Sequence, residues 1–206
     1  MSKFLIMEAR ERVILKSIDL FTQYGIRQVT MDQIASELGM SKRTIYEHFR
    51  DKDTLLRECL ETMNMQHTVE VNEILAGASN VIEALYRLGQ HGENKKAAIN
   101  CLFFDDLKKL NPGLWNTMKN KSKPGPGSFS YAILEKGVKQ KIFRDDLNLE
   151  LVDIFIHIIM ESFHEKDAYP SEVSRTDILK STIIPYYQGI ATEKGKKLID
   201  EYLTLL

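Results

Sequence analysis

Residues 31–50, MDQIASELGMSKRTIYEHFR, constrain the fold more than any other stretch of the chain. Met31, Ile34, Ala35 and Leu38 recur at helical spacing. Gly39 follows, where a chain leaving a helix commonly needs the positive φ that glycine adopts cheaply. Ser41 is positioned to cap a second helix over 42–49, with Ile45 and Phe49 on its inner face. Ala35 is small where two crossing helices must approach, and Ile45 plugs the second helix back onto the first. Ala35, Gly39 and Ile45 therefore have the spacing of a helix-turn-helix that docks on DNA. The outer face carries Lys42, Arg43, Thr44, Tyr46, Glu47 and His48, side chains suited to phosphates and base edges.

Helical patterns extend to both sides. Residues 8–24 place Ile14, Ile18 and Phe21 on one face, and Gly25 ends the run. Thr30 is an N-cap candidate for the helix that follows. After Phe49, Asp51 or Asp53 caps or charge-matches a long helix to about residue 75, with Leu55, Leu56, Cys59, Leu60 and Met63 inward. Asn80 heads a helix over 81–90, with Gly89 and Gly92 bracketing its end, and a further helix is expected over 94–110. Asn111-Pro112 closes that helix and opens another. Residues 119–128, with two prolines and two glycines, read as a mobile loop. Helices over 129–141, 149–165, 174–190 (kinked near Pro185) and 192–205 complete the chain. The 149–165 helix is apolar nearly all round, the mark of a helix covered on more than one side. The expected fold is all-α: a three-helix helix-turn-helix domain over 1–53 and a larger helical domain over 54–206.

The net charge of −1 excludes a uniformly basic nucleic-acid coat. Residues 1–57 carry +2 and the remainder −3, so DNA binding depends on local placement of charge around residues 42–52. Cys59 and Cys101 read as reduced thiols rather than a disulfide framework. No stretch approaches the ~20 apolar residues of a membrane span, which favours a cytoplasmic protein with no membrane partner.

Leu20-Phe21, Gly25, Val29-Thr30, Ile34-Ala35, Leu38-Gly39, Ser41, Thr44, Tyr46, His48-Phe49, Lys52 and Leu55 closely resemble the N-terminal domain of the TetR family of transcriptional regulators. The resemblance implies phosphate contacts from Thr30 and Tyr46, a backbone contact from His48, and a phosphate contact from Lys52 at the start of the next helix. It places Ser41 at the head of the recognition helix, and Lys42, Arg43 and Thr44 at the major groove. Arg43 stands where the family often has a small residue, and either reads guanine or binds phosphate. Glu47 either accepts from a cytosine amine or pairs with Arg43 or Arg50. The resemblance further implies a two-helix dimer interface, repression as the commoner outcome, and a central cavity for a small ligand. The helices over 149–165 and 174–205 have more apolar surface than one inner face needs and are the expected homodimer seam, and doubling a unit that reads only a few base pairs gives a palindromic operator.

Phe103, Phe104, Trp115, Phe129, Phe155, His157 and Met160 are candidate walls of a cavity for a small apolar ligand. Aromatics such as these, with Tyr131 and Phe163, equally fill a helical core. His157, Glu161 and His164 fall at i, i+4, i+7; lining of a cavity or subunit seam is preferred to a metal face. His67 and His91 read as isolated surface residues. No nucleophile–base pairing or phosphate loop stands out, so no cofactor and no enzymatic role is expected. The rival reading is a DNA-bound module whose second domain binds a protein.

Overall fold

A computed structural model describes the chain over residues 8–121, 123–162, 169–170 and 172–204. Among these residues the only β pairing is an isolated bridge between Phe143 and Ala191. The helices are α1 (Ala9–Tyr24), α2 (Met31–Leu38), α3 (Lys42–His48), α4 (Lys52–Gly77), α5 (Val81–Ala98), α6 (Cys101–Leu110), α7 (Pro112–Lys121), α8 (Phe129–Lys139) and α9 (Leu149–Ser162). Then come α10 (Arg175–Ile178), a π-helical turn (Leu179–Ile183), α11 (Ile184–Ile190) and α12 (Glu193–Leu203).

The chain packs as two units. One comprises Met1–Glu73 and Gln90–Met118; the other comprises Ile74–Gly89 and Lys119–Leu206. The first unit crosses the expected boundary between residues 53 and 54, and the second lies wholly within 54–206.

In the first unit, each junction of the N-terminal helices is closed locally. Gly25, at φ 84°, donates its N–H to Phe21 O at 2.9 Å. Thr30 Oγ1 accepts from Gln33 N at 3.1 Å and caps α2. Gly39 takes the left-handed conformation at φ 62°. Asp51 Oδ1 accepts from Thr54 N at 2.7 Å and caps α4. Val13, Phe21, Val29, Ile34, Ile45, Phe49, Leu55 and Leu56 are all completely buried in one cluster. Phe103 and Leu107 of α6 complete it, so the first fifty residues do not close their own core.

Two boundaries differ from the sequence reading. α5 runs through Gly89 and Gly92 to Ala98, since a glycine inside a helix costs only about 1 kcal/mol. The break falls instead at Asn100, so the expected 94–110 helix is divided. Asn100 N donates to Thr22 O at 2.8 Å, and Asn100 Nδ2 to Gln23 O at 3.1 Å. The chain is thereby held to the end of α1. The Asn100 side chain also caps α6 by accepting from Leu102 N at 3.0 Å.

In the second unit, Val81, Ile133, Leu134, Ile142, Phe143, Val152, Ile156 and Ile199 are among the core side chains. Asp153 is completely buried; it accepts from Gly125 N at 2.7 Å and from Ser128 Oγ at 2.8 Å. These bonds pin the second half of the 119–128 loop onto α9. Ahead of Pro185 the helix widens to a π turn, and Ile184 N–H reaches back to Leu179 O. The wide turn accommodates a ring that would crowd the carbonyl four residues earlier. α9 buries Val152, Asp153 and Ile156, whereas Leu151 and Ile158 are 63% and 59% exposed. Ile154, Phe155 and Met160 share the exposure. Within its own unit, then, α9 is covered on one face only.

Candidate nucleic-acid interface

α3 turns one narrow apolar face inward and leaves its polar side chains exposed. Ile45 is its one buried side chain, and Phe49 at its C-cap is buried too. Lys42, Arg43, Tyr46, Glu47 and His48 are exposed. The helix starts where it does because Ser41 Oγ accepts from Thr44 N at 3.1 Å. Ser41 Oγ and Thr44 Oγ1 also lie 2.9 Å apart in a mutual hydrogen bond. Ser41 and Thr30 are thus caps in the free protein. Each hydroxyl accepts a backbone N–H, and its own proton can be donated to a phosphate oxygen.

The cations of this face are paired. Lys42 Nζ sits 2.7 and 3.0 Å from the two carboxylate oxygens of Asp32 on α2. The hydrogen bond and charge of Asp32 hold the Lys42 ammonium above its ordinary pKa. Lys42 Nζ also lies 6.0 Å from the centroid of the Tyr46 ring. Arg43 Nε donates to Glu47 Oε1 at 3.1 Å, one helical turn on. Of the partners open to Glu47 in the sequence, Arg43 is the one it takes. Arg50 Nε and Asp51 Oδ2 are 4.0 Å apart. Each of these cations holds a carboxylate, so the exposed face is close to neutral.

Lys52 differs from the other cations. Its Nζ donates to Ile26 O at 2.5 Å and stands 5.8 Å from the Phe21 ring centroid. Partial burial lowers its pKa. Lys52 therefore ties α4 to the loop between α1 and α2, and two of its three ammonium protons remain for other acceptors. The structure adds Asp32 to this face. Its pairing with Lys42 spans ten residues and two helices, so no within-helix spacing signals it.

The seven candidate cavity residues divide between the units. Phe103, Phe104 and Trp115 belong to the first unit; Phe129, Phe155, His157 and Met160 belong to the second. Phe103 is a core side chain in edge contact with Phe104, and Phe155 stacks at a tilt on Tyr186 with centroids 4.7 Å apart. His157 Nδ1 is 3.0 Å from Asp153 O and 3.4 Å from Ser130 Oγ. His164 and Phe163 lie outside the described residues.

A capped, two-helix unit with an exposed polar second helix on a three-helix core defines a helix-turn-helix DNA-binding protein. Residues 14–59 match the family model described as bacterial regulatory proteins, tetR family. Over 73 residues the chain is 41% identical to YerO of Bacillus subtilis, an HTH-type transcriptional regulator; the match covers 34% of this chain and 25% of that one. YvaF, another HTH-type transcriptional regulator of Bacillus subtilis, is 26% identical over 193 residues, 89% of this chain and 96% of that one. A transcriptional regulator from Saccharomonospora viridis, solved in complex with choline, shares the fold with a TM-score of 0.59 at 20% identity, covering 95% of each chain. Residues 14–59 thus resemble the DNA-binding domain of tetR-family regulators, and most of the chain's length is similar to an HTH-type transcriptional regulator. No helix among the described residues is long and apolar enough to cross a membrane.

Proposed function

We propose that the protein is a homodimeric repressor that binds a palindromic operator and is released by a small ligand. The observation that carries the DNA side is the division of α3: Ile45 is locked inside while Lys42, Arg43, Tyr46 and His48 face outward. In this reading residues 1–53 hold the operator. Thr30, Ser41, Tyr46, His48 and Lys52 position the backbone, and Lys42, Arg43 and Thr44 enter the major groove. Arg43 reads guanine once it leaves Glu47.

One such unit reads only a few base pairs, and pairing two gives a usable site. The exposed Leu151, Ile154, Phe155, Ile158 and Met160 on α9 support a seam there, continued by 174–205. Residues 54–206 then hold both seam and ligand. Support for a ligand comes from the Saccharomonospora relative with choline. A small apolar molecule among Phe129, Phe155, His157 and Met160, or among Phe103, Phe104 and Trp115, would shift the spacing of the two recognition helices.

The test combines duplex binding with sedimentation. The Lys42→Ala/Lys52→Ala double variant is expected to melt cooperatively and to lose most of its DNA affinity and part of its salt slope. Unchanged binding by the folded variant would remove the assigned surface. Ile158→Glu is expected to yield monomers; a wild-type chain that sediments as a monomer at micromolar concentration would remove the seam.

A further inference from the structure

α4 and α5 bring together three side chains that sequence separation keeps apart. His67 and Glu70 stand at i and i+3 on α4, and His91 comes from α5. All three belong to the first packing unit. One ligand atom from each lies within 4.8 Å of the other two. The two imidazole rings are stacked, with centroids 6.2 Å apart and planes 12° apart. His91 Nε2 is 3.2 Å from a Glu70 carboxylate oxygen. That nitrogen is closed off from solvent, yet no group meets it with hydrogen-bond geometry. Lys95, one turn beyond His91, forms an ion pair with the same Glu70 oxygen.

Two imidazoles and a carboxylate are a donor set for zinc, cobalt or nickel, whereas calcium and magnesium prefer oxygen alone. We propose that His67, Glu70 and His91 form a binding site for one divalent transition-metal ion of the zinc type. Lys95 is the stand-in cation of the metal-free chain, and the metal displaces its ammonium from Glu70. Metal–nitrogen bonds of about 2.0–2.1 Å put tetrahedral ligand atoms roughly 3.4 Å apart. His91 and Glu70 already have that separation. His67 is the exposed member of the three, and a side-chain rotation closes the rest. Water takes the fourth position. The ion would fasten α5 to the helix whose first turns, through Leu55, Leu56 and Cys59, close the core under α2 and α3.

The experiment titrates untagged, chelator-treated full-length chain with cobalt(II) and with zinc(II). The expected result is one equivalent per chain, a four-coordinate cobalt absorption spectrum, and a zinc-dependent rise in Tm. His67→Ala and His91→Ala, checked for an unchanged melt in chelator, are each expected to weaken binding at least about tenfold. Lys95→Met removes the competing cation and is expected to tighten it. Absence of saturable binding, or stoichiometric binding that survives the His67→Ala/His91→Ala double variant, would overturn the site. Weaker binding by Lys95→Met would overturn the role given to Lys95.

Discussion

Replacing Lys42 by alanine is expected to change the salt dependence of DNA binding by a calculable amount. Each phosphate neutralised on duplex DNA adds about 0.9 to the slope of log affinity against log salt. Lys42 projects from the first turn of α3 with its ammonium on both oxygens of Asp32, at 2.7 and 3.0 Å. The two side chains are 58% and 63% exposed, and exposed pairs hold weakly, so a phosphate can take the place of Asp32. One lost contact per protomer is two per palindrome, a slope lower by about 1.8. Between about 50 and 200 mM salt the ratio of wild-type to variant affinity then falls roughly twelvefold. Asp32→Asn is the complementary change. It removes the competing carboxylate and is expected to strengthen binding by a factor of up to about five per protomer, the scale of an exposed pair. Fluorescence anisotropy of a labelled duplex over this salt range measures both. An unchanged slope for folded Lys42→Ala would mean that Lys42 stays on Asp32 in the complex. Weaker binding by Asp32→Asn would mean that the pair orients Lys42 rather than withholding it.

Three further outcomes test the packing. Ile45→Ala empties a completely buried position of the head and is expected to cost about 2–5 kcal/mol in denaturant unfolding; a loss below 1 kcal/mol would deny that Ile45 fixes α3. Gly195→Ala would put a methyl 2.2 Å from Ile142 O and 3.0 Å from Ala191 Cβ, so at least about 2 kcal/mol of stability should be lost in a thermal melt. Cys59 is buried with its thiol on Ile14 O at 3.6 Å, and burial pushes its pKa far up, while Cys101 is exposed. A thiol reagent should therefore modify Cys101 in the native chain and Cys59 only on unfolding; rapid native labelling of both would contradict the burial.

The helix-turn-helix was legible because its determinants are local. The caps at Thr30 and Ser41 act three residues away, and the apolar spacing of Met31, Ile34 and Ala35 repeats within one helix. Asn80 was readable as a cap for the same reason, and Asp51 as one of two candidates with Asp53. The boundary at Asn100 was not, since its backbone partner, Thr22, is seventy-eight residues earlier. Nothing within the 94–110 periodicity records that bond. The loop tie of Lys52 to Ile26 O, the Asp32–Lys42 pair and the meeting of His67 with His91 are likewise products of tertiary approach. The apolar excess of α9 was visible as composition, but only the packing shows which residues remain uncovered: Leu151, Ile154, Phe155, Ile158 and Met160. Composition gave the cavity candidates no such guide, because an aromatic that fills a core, as Phe103 does, has the same residue type as one that lines a pocket.

Selection of bound duplexes from a random pool by the full-length chain tests the central claim most directly. The expected product is an inverted repeat whose half-sites lie about one helical turn, or a multiple of it, apart. Arg43→Ala is expected to relax preference at one symmetric pair of positions while leaving the spacing intact. Enrichment of an asymmetric site, or of no sequence at all, would contradict a dimer that reads DNA through α3.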